Sequence, residues 1–164
     1  MPTPSRALVQ IFRETAERLS TGADYQWSHF GRCNCGHLVQ TITRLSPAEI
    51  HAASACELTE WSEIPDDYCA GTGLRLEFVL DRLRELGLDR TDLKHLEDLS
   101  DSRVLHALAG GHRHLERNRR EDVVAYMCAL ADLLEAKLLD HAAQTVADEW
   151  TREPTPKIFA AACA

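Results

Sequence analysis

Between residues 119 and 142, Val123, Val124, Met127, Leu130, Ala131, Leu134 and Leu138 recur at helical spacing and make one wide apolar face. A face that wide must be covered by other elements, which is the position of the central helix of a bundle. Asn118 and Glu121 form the capping-box pattern that would open this helix. The rest of the chain repeats the pattern in shorter pieces. Leu8, Phe12, Thr15 with Ala16, and Leu19 line a helix over 4–20, with Thr3 as N-cap, Pro4 at the first helical position and Gly22 as the stop. A second helix begins near Asn34 or Cys35 and runs through Leu38, Val39, Ile42 and Leu45. Ser46-Pro47-Ala48-Glu49 is a capping box for a third, through Ile50 and Ala53.

A fourth helix over 73–86 turns Leu76, Val79, Leu80 and Leu83 inward and ends at Gly87. Asp89 or Thr91 caps a short helix through Leu93, Leu96 and Leu99. Ser100 or Asp101 starts another through Val104, Leu105 and Leu108, closed by Gly110-Gly111. No stretch alternates with period two, so a sheet has no support. The expected fold is all-α: one compact helical domain over 1–164, a bundle of about six to eight helices with irregular loops near 24–31 and 60–73. Pro154 and Pro156 bar a helix from the last stretch, 153–164, which reads as a tail or as a strap docking Ile158 and Phe159 on the body or on a second subunit.

Chemistry concentrates in one place. The stretch from Tyr25 to His37 holds Tyr25, Trp27, His29, Phe30, Cys33, Cys35 and His37, and so two of the six cysteines and two of the eight histidines. His29, Cys33, Cys35 and His37 are soft or borderline ligands in a loop short enough to converge them on zinc or iron. Gly31 and Gly36 bracket the Cys-Asn-Cys unit and permit a tight backbone path. The Cys-x-Cys spacing fits the usual two-residue zinc turn poorly, so a four-ligand site would recruit Cys69 from the second loop, where it follows Asp66, Asp67 and Tyr68. A cysteine in the first turn of a helix has its thiolate favoured by the helix dipole, and Cys35 is placed for that.

Three readings stay open at this point. The first is a metal site on Cys33 and Cys35 with His29, His37 or Cys69, structural if closed and water-activating if one position stays open. The second is thiol redox chemistry between Cys33 and Cys35. The third is plain packing of small thiols beneath the aromatics, with the chain serving as a homo-oligomeric interaction module through its longest helix and the Ile158-Phe159 tail. His51 and Cys56 fall in a helix and read as surface or core, Cys128 as core, and Cys163 as an incidental tail residue.

Composition removes several classes. The net charge of −8 repels a phosphate backbone, so nucleic acid is not an expected partner. His112, Arg113, His114, Arg117, Arg119 and Arg120 form one basic cluster, but Glu116, Glu121 and Asp122 interleave with it, as in a salt-bridged linker. Glu57, Glu60, Glu63, Asp66 and Asp67 read as a solvated acidic face, and no Glu-x-x-His pair supports a di-iron site. There is no phosphate-binding glycine loop, nucleophile elbow or His-Glu-x-x-His motif. No apolar run reaches membrane-spanning length and the N-terminus lacks a signal core, so the expected location is the cytoplasm, where thiols stay reduced. Neither a small-molecule ligand nor an enzymatic activity follows from these residues.

Overall fold

A computed structural model of the chain describes residues 1–29, 31–56, 77–111 and 114–152. Among them run seven helices: α1 (Arg6–Ser20), α2 (Asn34–Thr43), α3 (Pro47–Cys56), α4 (Glu77–Arg84), α5 (Arg90–Asp98), α6 (Ser102–Ala107) and α7 (Arg120–Arg152). No strand occurs among the described residues, and the fold is all-α. None of the described helices is long and apolar enough to cross a membrane.

The caps show how local chemistry sets the boundaries. Ser46 and Glu49 close the expected capping box, with Ser46 N donating to Glu49 Oε2 at 2.8 Å and Glu49 N to Ser46 Oγ at 3.3 Å. Asp89 and Asp92 make the same reciprocal pair on α5, and Asp101 caps α6. Gly87 turns the chain at φ 87 after α4. Two expected caps shift. Ser5, not Thr3, caps α1, accepting from Leu8 N at 3.1 Å, while Thr3 N instead donates to Gly87 O at 3.1 Å. Asn118 lies too far ahead of Arg120 to cap α7. The helix also runs past 142 to Arg152, because nothing in 140–152 breaks it and Pro154 disfavours helix only from the residue before it.

α7 packs along α1 and against α6, while α2 packs against α1, α3, α4 and α5 and is the hub of the molecule. Leu8, Phe12, Ala16 and Leu19 of α1 meet Val123, Met127, Leu130, Ala131 and Leu134 of α7 in one core, together with Leu38, Val39, Ile50, Leu83, Leu96 and Val104. Burying such side chains contributes about 1.5–3 kcal/mol each. Tyr126 and Leu115 are buried although neither stands out in the sequence pattern, and the Tyr126 hydroxyl accepts Asp101 N at 3.1 Å. Cys128, expected in the core, is exposed, because the buried residues Met127 and Ala131 set the inward face and position 128 turns away from it. Residues 57–76 and 153–164, which carry the second loop with Cys69 and the tail with Ile158, Phe159 and Cys163, lie outside the described residues.

A thiol and carboxylate cluster as the candidate site

The site is built by a loop that delivers the chain to the start of α2. Gln26 N donates to Arg32 O at 3.2 Å, and Arg32 N and Cys33 N both donate to His29 O at 3.0 Å. Ser28 and Gly31 sit at φ 63 and 81, the left-handed region that glycine accepts without cost and serine does not. The loop is pinned from outside. Tyr25 Oη donates to Arg117 O, the Arg117 guanidinium lies 4.2 Å over the Trp27 ring, and Arg117 also pairs with Asp98 at 2.6 Å. Tyr25 and Trp27 are therefore anchors, and part of the basic cluster serves to hold them.

Gly36 is required where α2 crosses this loop. A Cβ there would lie 2.4 Å from Gly31 C, and a Cβ on Gly31 would meet the Pro47 backbone at 3.1 Å. Both contacts are with backbone, which cannot swing aside. The glycines expected to permit a tight path thus permit direct contact between the loop and the helix.

Cys33 is the N-cap of α2, with an extended backbone and no side-chain bond to the helix. Its place is taken by a residue from another helix. The Glu97 carboxylate of α5 accepts Cys35 N at 2.7 Å and also the Asn34 N–H. Both thiols, Cys33 and Cys35, hydrogen-bond to this same carboxylate. Asn34 completes the join, its Nδ2 donating to Leu96 O at 2.8 Å. Burial pushes the Glu97 carboxyl above the ordinary carboxylate range, and the four donors around it pull part of the way back. The helix N-terminus expected to favour a Cys35 thiolate is thus occupied by a carboxylate, with the thiols as donors to it.

The other expected ligands divide. His37 is buried in the core, its Nε2 bonded to Asp24 O at 3.2 Å and its ring 6.1 Å from that of Tyr25. Burial holds its pKa down to about 4, so it is a neutral core histidine at physiological pH. His29 lies on the half-buried loop and supplies the carbonyl that closes it. Cys69 lies outside the described residues. His51 is exposed. Among the described residues, no group of three or more His, Cys, Asp or Glu side chains is arranged to hold a metal ion.

Glu97 was not legible as a site residue. Its one signal is position: it lies one turn beyond Leu93 and next to Leu96, at the edge of the apolar stripe where a charged residue is either solvated or paired with something specific. Beneath the thiols a polar layer continues. Gln40 Nε2 donates to Gly31 O at 2.6 Å, Arg18 donates to Gln40 Oε1 and to Thr41 Oγ1 at 2.8 Å each, and Thr15 and Thr41 hydroxyls meet at 2.8 Å. Asn34 Oδ1 and His37 Nδ1 are buried without a hydrogen-bond partner. Comparison of the chain with family models, with curated proteins and with solved structures finds no match.

Proposed function

We propose that the chain is a thiol redox protein whose reacting pair is Cys33 and Cys35 and whose shared proton acceptor is Glu97. The observation that supports it is the convergence of two thiols, neither in a disulfide, on one half-buried carboxylate. A carboxyl held above its ordinary range by burial is a better acceptor for a thiol proton than an ordinary one. Cys33 is half-buried and Cys35 is buried, so Cys33 is the attacking thiol and Cys35 the resolving one.

The co-reactant is a low-molecular-weight disulfide. Glu97 takes the Cys33 proton, the thiolate attacks one sulfur of the disulfide, and the first thiolate leaves and collects that proton. Cys35, deprotonated in turn by Glu97, attacks Cys33 Sγ and expels the second thiolate, which takes the second proton. Two protein thiols are oxidised to one disulfide and one small disulfide is reduced to two thiols, with no net proton exchange. Residues two apart at a helix start close a small ring, which keeps such a disulfide reducible.

The test is peptide mapping of protein exposed to a small disulfide. The expected product joins Cys33 to Cys35, and Glu97→Gln slows its formation at least about tenfold. Both thiols remaining free in the parent would sink the proposal. Elemental analysis of protein purified reduced and without chelator, beside Cys33→Ser/Cys35→Ser, covers the rival use of the same residues. Near-stoichiometric zinc or iron in the parent, absent from the variant, would replace redox chemistry with a metal site.

A further inference from the structure

With a disulfide as oxidant, Glu97 is used for only half of what it can do. It takes a proton from each thiol, but the leaving group is a thiolate, whose conjugate acid has a pKa of about 8.5 and which departs without help. A peroxide is different. Its O–O bond breaks to hydroxide or alkoxide, and the acid of hydroxide is water at about 15.7, so departure needs a proton delivered as the bond breaks.

The site holds such a proton carrier against both sulfurs. Cys33 and Cys35 hydrogen-bond to the one carboxylate of Glu97, which also accepts Cys35 N at 2.7 Å and the Asn34 N–H. A proton taken from either thiol therefore stays beside the sulfur that attacks, and the backbone donors keep the carboxylate in place while it passes that proton on. Space points the same way. Cys33 is half-buried, and the loop before it is tied down by Cys33 N to His29 O at 3.0 Å and by Tyr25 Oη to Arg117 O. A mixed disulfide has to seat a whole second thiol there, whereas a peroxide leaves one oxygen atom on the sulfur.

We infer that the same pair reduces small hydroperoxides, with Glu97 as acid as well as base. This rests on the thiol redox reading, with Cys33 attacking and Cys35 resolving. Glu97 takes the Cys33 proton, and the thiolate attacks the hydroxyl oxygen of the peroxide. The S–O bond forms as the O–O bond breaks, and Glu97 returns its proton to the departing oxygen. The products are an alcohol (water from hydrogen peroxide) and a sulfenic acid on Cys33. Glu97 then takes the Cys35 proton, Cys35 attacks Cys33 Sγ, and hydroxide leaves with that proton as water. Two thiols become one disulfide, and the two electrons they lose reduce the O–O bond. Both leaving groups are poor ones, and one carboxyl bonded to both sulfurs serves each in turn.

Rapid mixing of the reduced full chain with hydrogen peroxide, followed by peptide mapping, tests this, with bis(2-hydroxyethyl) disulfide as the parallel oxidant. Hydrogen peroxide is expected to join Cys33 to Cys35 at least about 100-fold faster than it oxidises Cys128, the exposed thiol on α7 that serves as internal reference. Glu97→Gln is expected to slow the peroxide reaction at least about tenfold more than the disulfide reaction, because only the former needs the proton back. Circular dichroism checks that this variant keeps its helices. Cys35→Ser gives a second readout, since its reaction is expected to stop at a sulfenic acid on Cys33 that dimedone captures. A Cys33–Cys35 bond formed by the small disulfide but not by hydrogen peroxide would overturn the inference and leave the redox reading standing. So would peroxide oxidation of Cys33 no faster than that of Cys128, equal losses with both oxidants in Glu97→Gln, or no captured sulfenic acid. Thiols that stay free with both oxidants would remove the redox reading itself.

Discussion

The start of α2 and the far end of α7 both mix polar and apolar side chains but are opposites in burial, and the contrast is instructive. Residues 34–41 of α2 include Asn34, His37, Gln40 and Thr41, yet every residue in that run is buried. The far end of α7 carries Leu139, Val146 and Trp150, and it is exposed. Taken one side chain at a time, hydropathy would have put Asn34 and Gln40 outside and Leu139 and Trp150 inside. Position decides instead: α2 is surrounded by α1, α3, α4 and α5, while α7 outruns its partners. Polar side chains can sit in a hub only if each polar group finds a donor or acceptor there, and Glu97, Arg18, Leu96 O and Gly31 O supply most of them. Leu139, Val146 and Trp150 stay in water at the end of α7 because no described helix lies across from them, which leaves an open apolar surface.

The sharpest test of this contrast is Gly36→Ala. Helix propensity alone would make it stabilising by roughly 1 kcal/mol. The backbone contact with Gly31 reverses the sign, and a loss of about 3 kcal/mol is expected in urea unfolding. A stabilised variant would mean that the loop and helix are not packed as described. The next effect is at Gln40, which bridges Gly31 O and Arg18. Gln40→Leu leaves a buried carbonyl without its donor and is expected to lower stability by about 1–3 kcal/mol, measured the same way.

A third test uses pH. The His37 pKa is lowered from 6.5 to about 4 by burial, so between those values the unfolded chain binds more protons than the folded one. Stability is therefore complete above the unfolded value, falls as pH drops from 6.5 toward 4, and levels off below. Unfolding free energies across that range should show the slope, and His37→Gln should flatten it. An unchanged slope in the variant would assign it to other groups. The smallest effect is expected at the end of α7, where Trp150→Ala should change stability by no more than about 0.5 kcal/mol in urea unfolding. A large loss there would mean that this end packs on the body, and the contrast with α2 would collapse.

Most of the fold was legible because it rests on local chemistry. The capping box at Ser46, the cap at Asp89, the stops at Gly22 and Gly87 and the leucine stripes act within one or two turns, and each appears where its residues stand. The candidate site was legible only in part. Cys33 and Cys35 announce themselves as an unusual pair, but the carboxylate between them comes from 62 residues away, and no spacing rule connects the two. His37 misled for the same reason: a histidine beside two cysteines reads as a ligand until the surrounding helices make its site too dry for charge and give its Nε2 to Asp24 O.

The sequence by itself determined that the fold is all-α, where most of the helices begin and end, and that two cysteines and two histidines crowd into the stretch from Tyr25 to His37. Tertiary structure alone decided that α2 is the hub, that Glu97 closes its N-terminus and gathers both thiols, that Cys128 faces solvent, and that the end of α7 stands clear of the body. The physical reason is range. Caps and periodicity are settled between neighbours in the chain, whereas burial, and with it the state of every titratable group, is settled by whatever helix happens to lie across the way.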